Sequence, residues 1–139
     1  MTQEQIRLVR DTFPTLQSMG TAMPQLFYGR LFQLDPSTRA LFRSDIRVQA
    51  TKFSQMLTAL VNGLDELGSF DTALRQMGQR HAGYNVKLAH YDLVRDALLW
   101  AIGQALGPEW NRDVKAAWTA LLEHVNAVMR DGQREVSND

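Results

Sequence analysis

One periodicity constrains this chain more than any other feature. From Val48 to Leu67 the apolar residues Phe53, Met56, Leu57, Leu60, Val61 and Leu64 recur at three- and four-residue spacing, which lines one face of a helix and no face of a strand. Asn111 to Met129 repeats the pattern with Val114, Trp118, Leu121, Val125 and Val128, behind an Asn111 able to accept from the helix's orphan N–H groups. Between them, Tyr91 to Leu106 carries Val94, Leu98, Ala101, Ile102 and Ala105, then stops at "LGPEW", where glycine and proline turn the chain. No comparable alternation marks a strand.

Shorter helices complete the set. Thr2 followed by Gln5 reads as a capping box, and Ile6, Val9, Phe13 and Leu16 share a face, although Pro14 should kink or shorten that helix. Pro24 to Leu34, "PQLFYGRLFQL", is apolar on most sides, as expected of a helix buried between neighbours. Asp35 then Pro36 restarts the chain with a cap and a proline at a first helical position, giving a short turn through "PSTRALF". Ser69 to Ala82 forms a further helix with Phe70, Leu74, Met77 and His81 on one side. The expectation is an all-α domain of about six or seven unequal helices without a sheet.

At 139 residues a single domain spanning 1–139 is expected, with a polar tail that frays from about residue 132. Fifteen basic residues balance fifteen acidic ones, which removes the electrostatic case for nucleic acid or anionic membrane as a partner. The absence of cysteine excludes disulfides, thiolate-bound zinc, iron–sulfur clusters and thiol catalysis. The opening "MTQEQIRLVRD" is neither a signal peptide nor a membrane anchor, so a cytoplasmic protein is expected.

Chemistry is therefore left to histidine, carboxylates, tyrosine and amides. His81 lies four residues after Met77 and seven after Leu74, so it projects from the apolar side of its helix. A lone histidine there is more often an ordinary core residue than a ligand. An inward-facing imidazole can, however, donate its Nδ1 proton to the carbonyl of Met77, which leaves Nε2 as a lone pair for a metal. His90 sits nine residues on, too far to share a helical face, and His124 has no companion at ligand spacing, so both read as ordinary polar residues. No nucleophile elbow and no Gly-x-Gly pair is present, which leaves hydrolase and nucleotide readings without a motif. Tyr28 within "LFYGRLF" and Gln49, one turn before Phe53, are polar groups in apolar company that need either an internal partner or a ligand.

In order, "FYGRLFQLDPSTRALF", "QATKFSQML", "MGQRHAGYNVKLAHY" and "AAWTALL" resemble the globin family over essentially the whole chain. The resemblance is strongest to bacterial single-domain globins and the globin half of flavohaemoglobins, with "RHAGYNVKL" and "LGP" similar to neuroglobin. It implies the globin fold and a haem b cofactor whose iron is ligated by His81 on the proximal side. It places Phe42 flat on the porphyrin, and Tyr28 and Gln49 as distal donors to bound oxygen. Lys52 is matched to a haem propionate, and Phe53, Leu57, Met77, Val86, Tyr91 and Val94 to the apolar wall. Tyr91 also matches a flavohaemoglobin tyrosine near the proximal histidine, with Glu135 as the nearest candidate for the glutamate that completes that relay. Phe53 departs from the pattern, since this branch more often has leucine there, so the pocket is expected to be smaller or gated by ring rotation.

The function implied is reversible binding of O2, with CO and NO as further ligands, for storage or transport, by a monomer or weak homodimer that need not be an enzyme. An alternative is nitric oxide dioxygenase activity, for which a separate reductase would be required. A gas or redox sensor module is the third reading.

Overall fold

The structure, a computed structural model, describes residues 1–42 and 44–137, with the side chains of 66–69 and 137 outside the description. Its helices are α1 Gln3–Ser18, α2 Ala22–Leu34, α3 Ile46–Asn62, α4 Leu67–His81, α5 Leu88–Leu106 and α6 Arg112–Ser137, joined by short 3-10 turns, with no strand among the described residues. The all-α expectation holds. The caps form as the residue types dictate: Thr2 Oγ1 accepts from the Gln5 N–H at 3.0 Å while Gln5 Oε1 accepts from the Thr2 N–H at 3.0 Å. Asp35 accepts from the Ser37 N–H, and Asn111 from the Val114 N–H at 2.9 Å.

Several boundaries differ from expectation. Pro14 neither breaks nor shortens α1, which runs on to Ser18 because Phe13 and Leu16 on either side of it are buried in the core. α3 stops at Asn62 rather than at Leu67. Gly63 caps it, its N–H donating to the Ala59 carbonyl, and Leu64 enters the core from the following 3-10 turn. α4 begins at Leu67 rather than at Ser69, whose side chain lies outside the described residues. α5 starts at Leu88, before Tyr91, so His90 falls in its first turn and its Nδ1 accepts from the Lys87 N–H at 2.9 Å. α2 is not enclosed on every side: it buries Met23, Phe27, Tyr28 and Leu31 but leaves Leu26 and Leu34 exposed.

The largest difference is at the C-terminal end. α6 is helical through Ser137, where a tail fraying from about residue 132 was expected; Gly132 and Gln133 are buried, and 134–136 are helical but exposed. A Cβ on Gly132 would stand 2.1 Å from the Arg75 carbonyl oxygen, and one on Gly78 would stand 2.0 Å from that of Met129. α4 and α6 thus cross backbone against backbone, an approach that only residues without a side chain permit. Polar composition was a poor guide because these polar residues have partners across the crossing.

The buried apolar residues form two clusters. The larger gathers side chains of α1, α2, α3, α5 and α6 around Trp118, whose indole N–H donates to Thr12 Oγ1 at 2.9 Å. The smaller joins Leu74, Tyr91, Val128 and Met129 of α4, α5 and α6, with Met77 and Val86 packed at its edge. Phe42, Phe53 and Val94 pack at the edge of the larger one. The residues expected to wall a cofactor are therefore shared between the two.

Candidate functional site

His81 is the last residue of α4 and is half-buried. Its Nδ1 lies 2.6 Å from the Met77 carbonyl oxygen, one turn back. A carbonyl only accepts, so Nδ1 carries the proton and Nε2 keeps its lone pair. Burial lowers the imidazole's pKa below its ordinary value, outweighing the Met77 hydrogen bond that raises it, and the nearby Arg80 charge lowers it further. The ring is therefore a neutral base. Tyr84 and Tyr91 flank it, with ring centroids 6.2 and 6.5 Å away. Beyond it the chain turns through 82–84 and reverses at Asn85, whose left-handed φ of 62° asparagine tolerates.

Tyr91 is buried on α5 and held at both ends. Its hydroxyl donates to Gln133 Oε1 at 2.6 Å, and its carbonyl accepts from Asn126 Nδ2 at 3.0 Å. Gln133 Nε2 in turn donates to the Val86 carbonyl at 2.5 Å. Burial pushes the Tyr91 phenol up, while the guanidinium of Arg130, 5.8 Å over its ring, pulls it down.

Glu135 does not join this set, contrary to expectation. Its carboxylate accepts from Arg75 Nη1 at 2.5 Å and from Gln79 Nε2 at 2.8 Å on the exposed side of α4. The two side chains at 133 and 135 leave α6 about 200° apart, so only one can face Tyr91. The one that does is Gln133, which the sequence reading missed. Its signal was there: Gln133 follows Met129 at four-residue spacing and continues the buried stripe of α6.

Tyr28 defines the other side. It is 4 % exposed, and rings surround it: Phe27 at 4.8 Å, Phe42 edge-on at 5.0 Å, Phe32 at 6.2 Å and Phe53 at 6.3 Å. Its hydroxyl makes no hydrogen bond among the described residues. Burial pushes its pKa up to about 12, so the phenol stays a donor at neutral pH. Phe53 stacks on Phe27 at 5.2 Å. Gln49, one turn earlier on α3, is half-buried with no side-chain hydrogen bond among the described residues, whereas Lys52 is exposed and Leu57 is deep in the core.

The remaining histidines serve structure. His90 closes the first turn of α5, and His124 Nε2 lies 2.7 Å from Asp71 Oδ1, joining α6 to α4. Among the described residues, no three His, Cys, Asp or Glu side chains group as a metal site, and no helix is long and apolar enough to cross a membrane. An open cavity of about 290 Å³ lies away from His81, between α1, α2 and α3, lined in part by Phe13, Met23, Thr51 and Leu57.

The described residues thus present a half-buried histidine at the end of α4 and, on α2, a tyrosine ringed by phenylalanines. The chain belongs to the globin family, whose model, described as Globin, matches residues 25–129. A globin-like protein of Aquifex aeolicus, itself uncharacterised, is 33% identical over 118 residues, covering 85% of this chain and 84% of that one. A flavohemoprotein of Xylella fastidiosa is 33% identical over 91% of this chain, but the match spans only 34% of the relative's length. Neuroglobin of Danio rerio is 25% identical over 90% of this chain and 87% of its own. Among solved structures, an engineered carbene transferase from Rhodothermus marinus, whose parent carries a provisional assignment as a nitric oxide dioxygenase, superposes with a TM-score of 0.88. It is 28% identical, over 99% of this chain and 96% of that one. A bacterial globin from Campylobacter jejuni, 22% identical with a TM-score of 0.83 over 99% of this chain and 100% of that one, shares the fold.

Proposed function

We propose that this chain binds haem b between its two apolar clusters, with His81 Nε2 as the protein ligand to the iron, and that it holds O2 reversibly. The observation that carries the reading is the state of His81: half-buried, neutral, its Nδ1 committed to Met77 and its Nε2 lone pair free. The surroundings fit the group. Phe42, Phe53 and Val94 on one cluster, and Met77 and Val86 on the other, are partly exposed apolar side chains that a flat apolar cofactor would cover. Exposed Lys52 suits a propionate, and Tyr91 and Leu57 support the wall from the core. When bound, haem supplies an iron that takes O2, CO or NO.

Tyr28 and Gln49 supply donors. A phenol held in its protonated form and otherwise unpartnered stabilises the partial negative charge of polarised O2, a hydrogen bond worth about 1.5–3 kcal/mol, or roughly ten- to a hundredfold in affinity. Less polarised CO gains less. The rings of Phe27, Phe32, Phe42 and Phe53 give that donor apolar surroundings, in which a hydrogen bond to a polarised ligand is strengthened. In this reading the protein is a cytoplasmic oxygen-binding globin.

The test is an absorption spectrum of the purified protein and of His81→Gly. A haem Soret band is expected in the wild type, with haem retention weakened or lost in the variant. A colourless wild type that cannot take up added hemin would falsify the assignment.

Nitric oxide dioxygenation is the second reading, favoured by the likeness to flavohemoproteins and to the Rhodothermus marinus structure. Haem, were it bound there, would supply the iron at which O2 and NO give nitrate, and a separate reductase would have to provide the one electron that each nitrate consumes. Multiple turnovers of NO in the presence of a reductase would establish it, whereas consumption limited to one NO per protein leaves the binding role.

A further inference from the structure

We infer that Gln133 is a positioning residue for the segment that follows His81, acting as a tie that needs both a donor and an acceptor. Three elements meet at its amide. Oε1 accepts from the Tyr91 hydroxyl of α5 at 2.6 Å, Nε2 donates to the Val86 carbonyl of the 82–87 turn at 2.5 Å, and the side chain itself stands on α6, 5 % exposed. Each contact fixes the other's direction. A backbone carbonyl can be satisfied only by a donor, so Nε2 must face Val86, which leaves Oε1 to accept from the Tyr91 hydroxyl; reversing the amide would set two acceptors against each other at Val86.

The 82–87 turn has little else to hold it. Ala82–Tyr84 is a single 3-10 turn, Tyr84 is 61 % exposed, and Asn85 carries the left-handed φ that reverses the chain. Val86 is the first side chain after this reversal to pack on the smaller cluster, and its carbonyl is where Gln133 takes hold. One peptide further, the Lys87 N–H donates to His90 Nδ1, so the start of α5 is built directly on the tied residue. Gln133 therefore sets the height and direction of the chain leaving His81, and with it the seat of the imidazole between Tyr84 and Tyr91.

The amide, rather than a carboxylate of nearly the same shape, is the point. In Gln133→Glu one oxygen still accepts from Tyr91, but the other stands against the Val86 carbonyl oxygen, where two acceptors repel. The tie becomes one-ended, and the turn is released while the phenol stays held. This rests on the proposed role of His81, yet its test does not require cofactor.

The experiment is amide hydrogen exchange of the apoprotein over residues 82–90, comparing wild type, Gln133→Glu, Gln133→Met and Tyr91→Phe, with helical circular dichroism to establish folding. Exchange about tenfold faster in this segment is expected for both Gln133 variants, with the rest of α5 unchanged. Wild-type exchange in Gln133→Met would reduce Gln133 to a space filler, and wild-type exchange in Gln133→Glu would show the donor end to be idle; either result overturns the tie. Tyr91→Phe keeps Gln133 in place should the Met variant not fold. It must also speed exchange, because an amide without its acceptor contact loses its orientation, and an unchanged rate overturns the proposal. In haem-loaded protein, a shifted or broadened iron–histidine stretching band is expected in Gln133→Glu. Failure to load haem at all defeats the cofactor assignment but leaves the exchange result standing.

Discussion

Tyr28 and Tyr91 are both buried phenols, 4 % and 5 % exposed, and they are treated in opposite ways. Tyr91 gives its proton to Gln133 and its carbonyl to Asn126, so the histidine side is polar, connected and closed. Tyr28 is walled by phenylalanines and gives its proton to no described residue, so the tyrosine side is apolar and open to one incoming acceptor. A buried hydroxyl that is satisfied within the protein stabilises the fold, whereas one with no protein partner adds little to it. In the proposed function the two phenols divide structural and ligand-binding duty.

The most severe way to break this contrast is to move the histidine side bodily. Gly132→Ala puts a methyl 2.1 Å from the Arg75 carbonyl, and α4 and α6 must part. A loss of about 3 kcal/mol in urea denaturation is expected, even after alanine's better helix propensity returns up to about 1 kcal/mol. Wild-type stability would mean that the helices do not meet there.

The next test uses pH. Unfolded tyrosine loses its proton near pH 10, while folded Tyr28 keeps its own up to about 12, so between those values the folded state binds more protons and stability falls as pH rises. A decline of about 2–3 kcal/mol from Tyr28 across that window is expected, and Tyr28→Phe should remove that part, leaving the contribution of the buried Tyr91 phenol. Identical alkaline titrations of the two proteins would place the anomalous phenol elsewhere.

The pair Tyr91→Phe and Tyr28→Phe sharpens the comparison directly. The first strands Gln133 Oε1 and should cost about 2 kcal/mol, while the second removes a hydroxyl with no described partner and should change apoprotein stability by less than about 0.5 kcal/mol. Equal costs in thermal melts would erase the division of duty. The smallest effect is expected of Glu135→Gln, which weakens an exposed ion pair with Arg75. It should be lost in added salt and leave exchange at 82–90 unaltered, whereas a change there would bring Glu135 back to the histidine side.

What was legible in sequence follows from the range of each interaction. The His81 Nδ1 contact to Met77 spans one helical turn and depends only on the helix, so spacing alone anticipated it. The caps at Thr2, Asp35 and Asn111 were legible for the same reason. Tyr28 and Phe53 were marked out by their neighbours in sequence, although the ring-to-ring contact needed α2 against α3. Gln133 reaches Tyr91 across 42 residues of chain. Composition pointed the wrong way there, because a polar run after a glycine looks like a fraying end until α4 is laid against it. Glu135 drew attention as the nearest match to a flavohaemoglobin glutamate, but helical phase gave the inward position to Gln133, two residues earlier.

The glycine crossing also has a mechanical meaning. Side-chain interfaces adapt by changing rotamers, but two backbones in contact at Gly78 and Gly132 leave nothing to rotate. The crossing lies three residues before His81 and one before Gln133. A displacement of α6 at that level meets the α4 backbone directly, with no side chain between the helices to take it up.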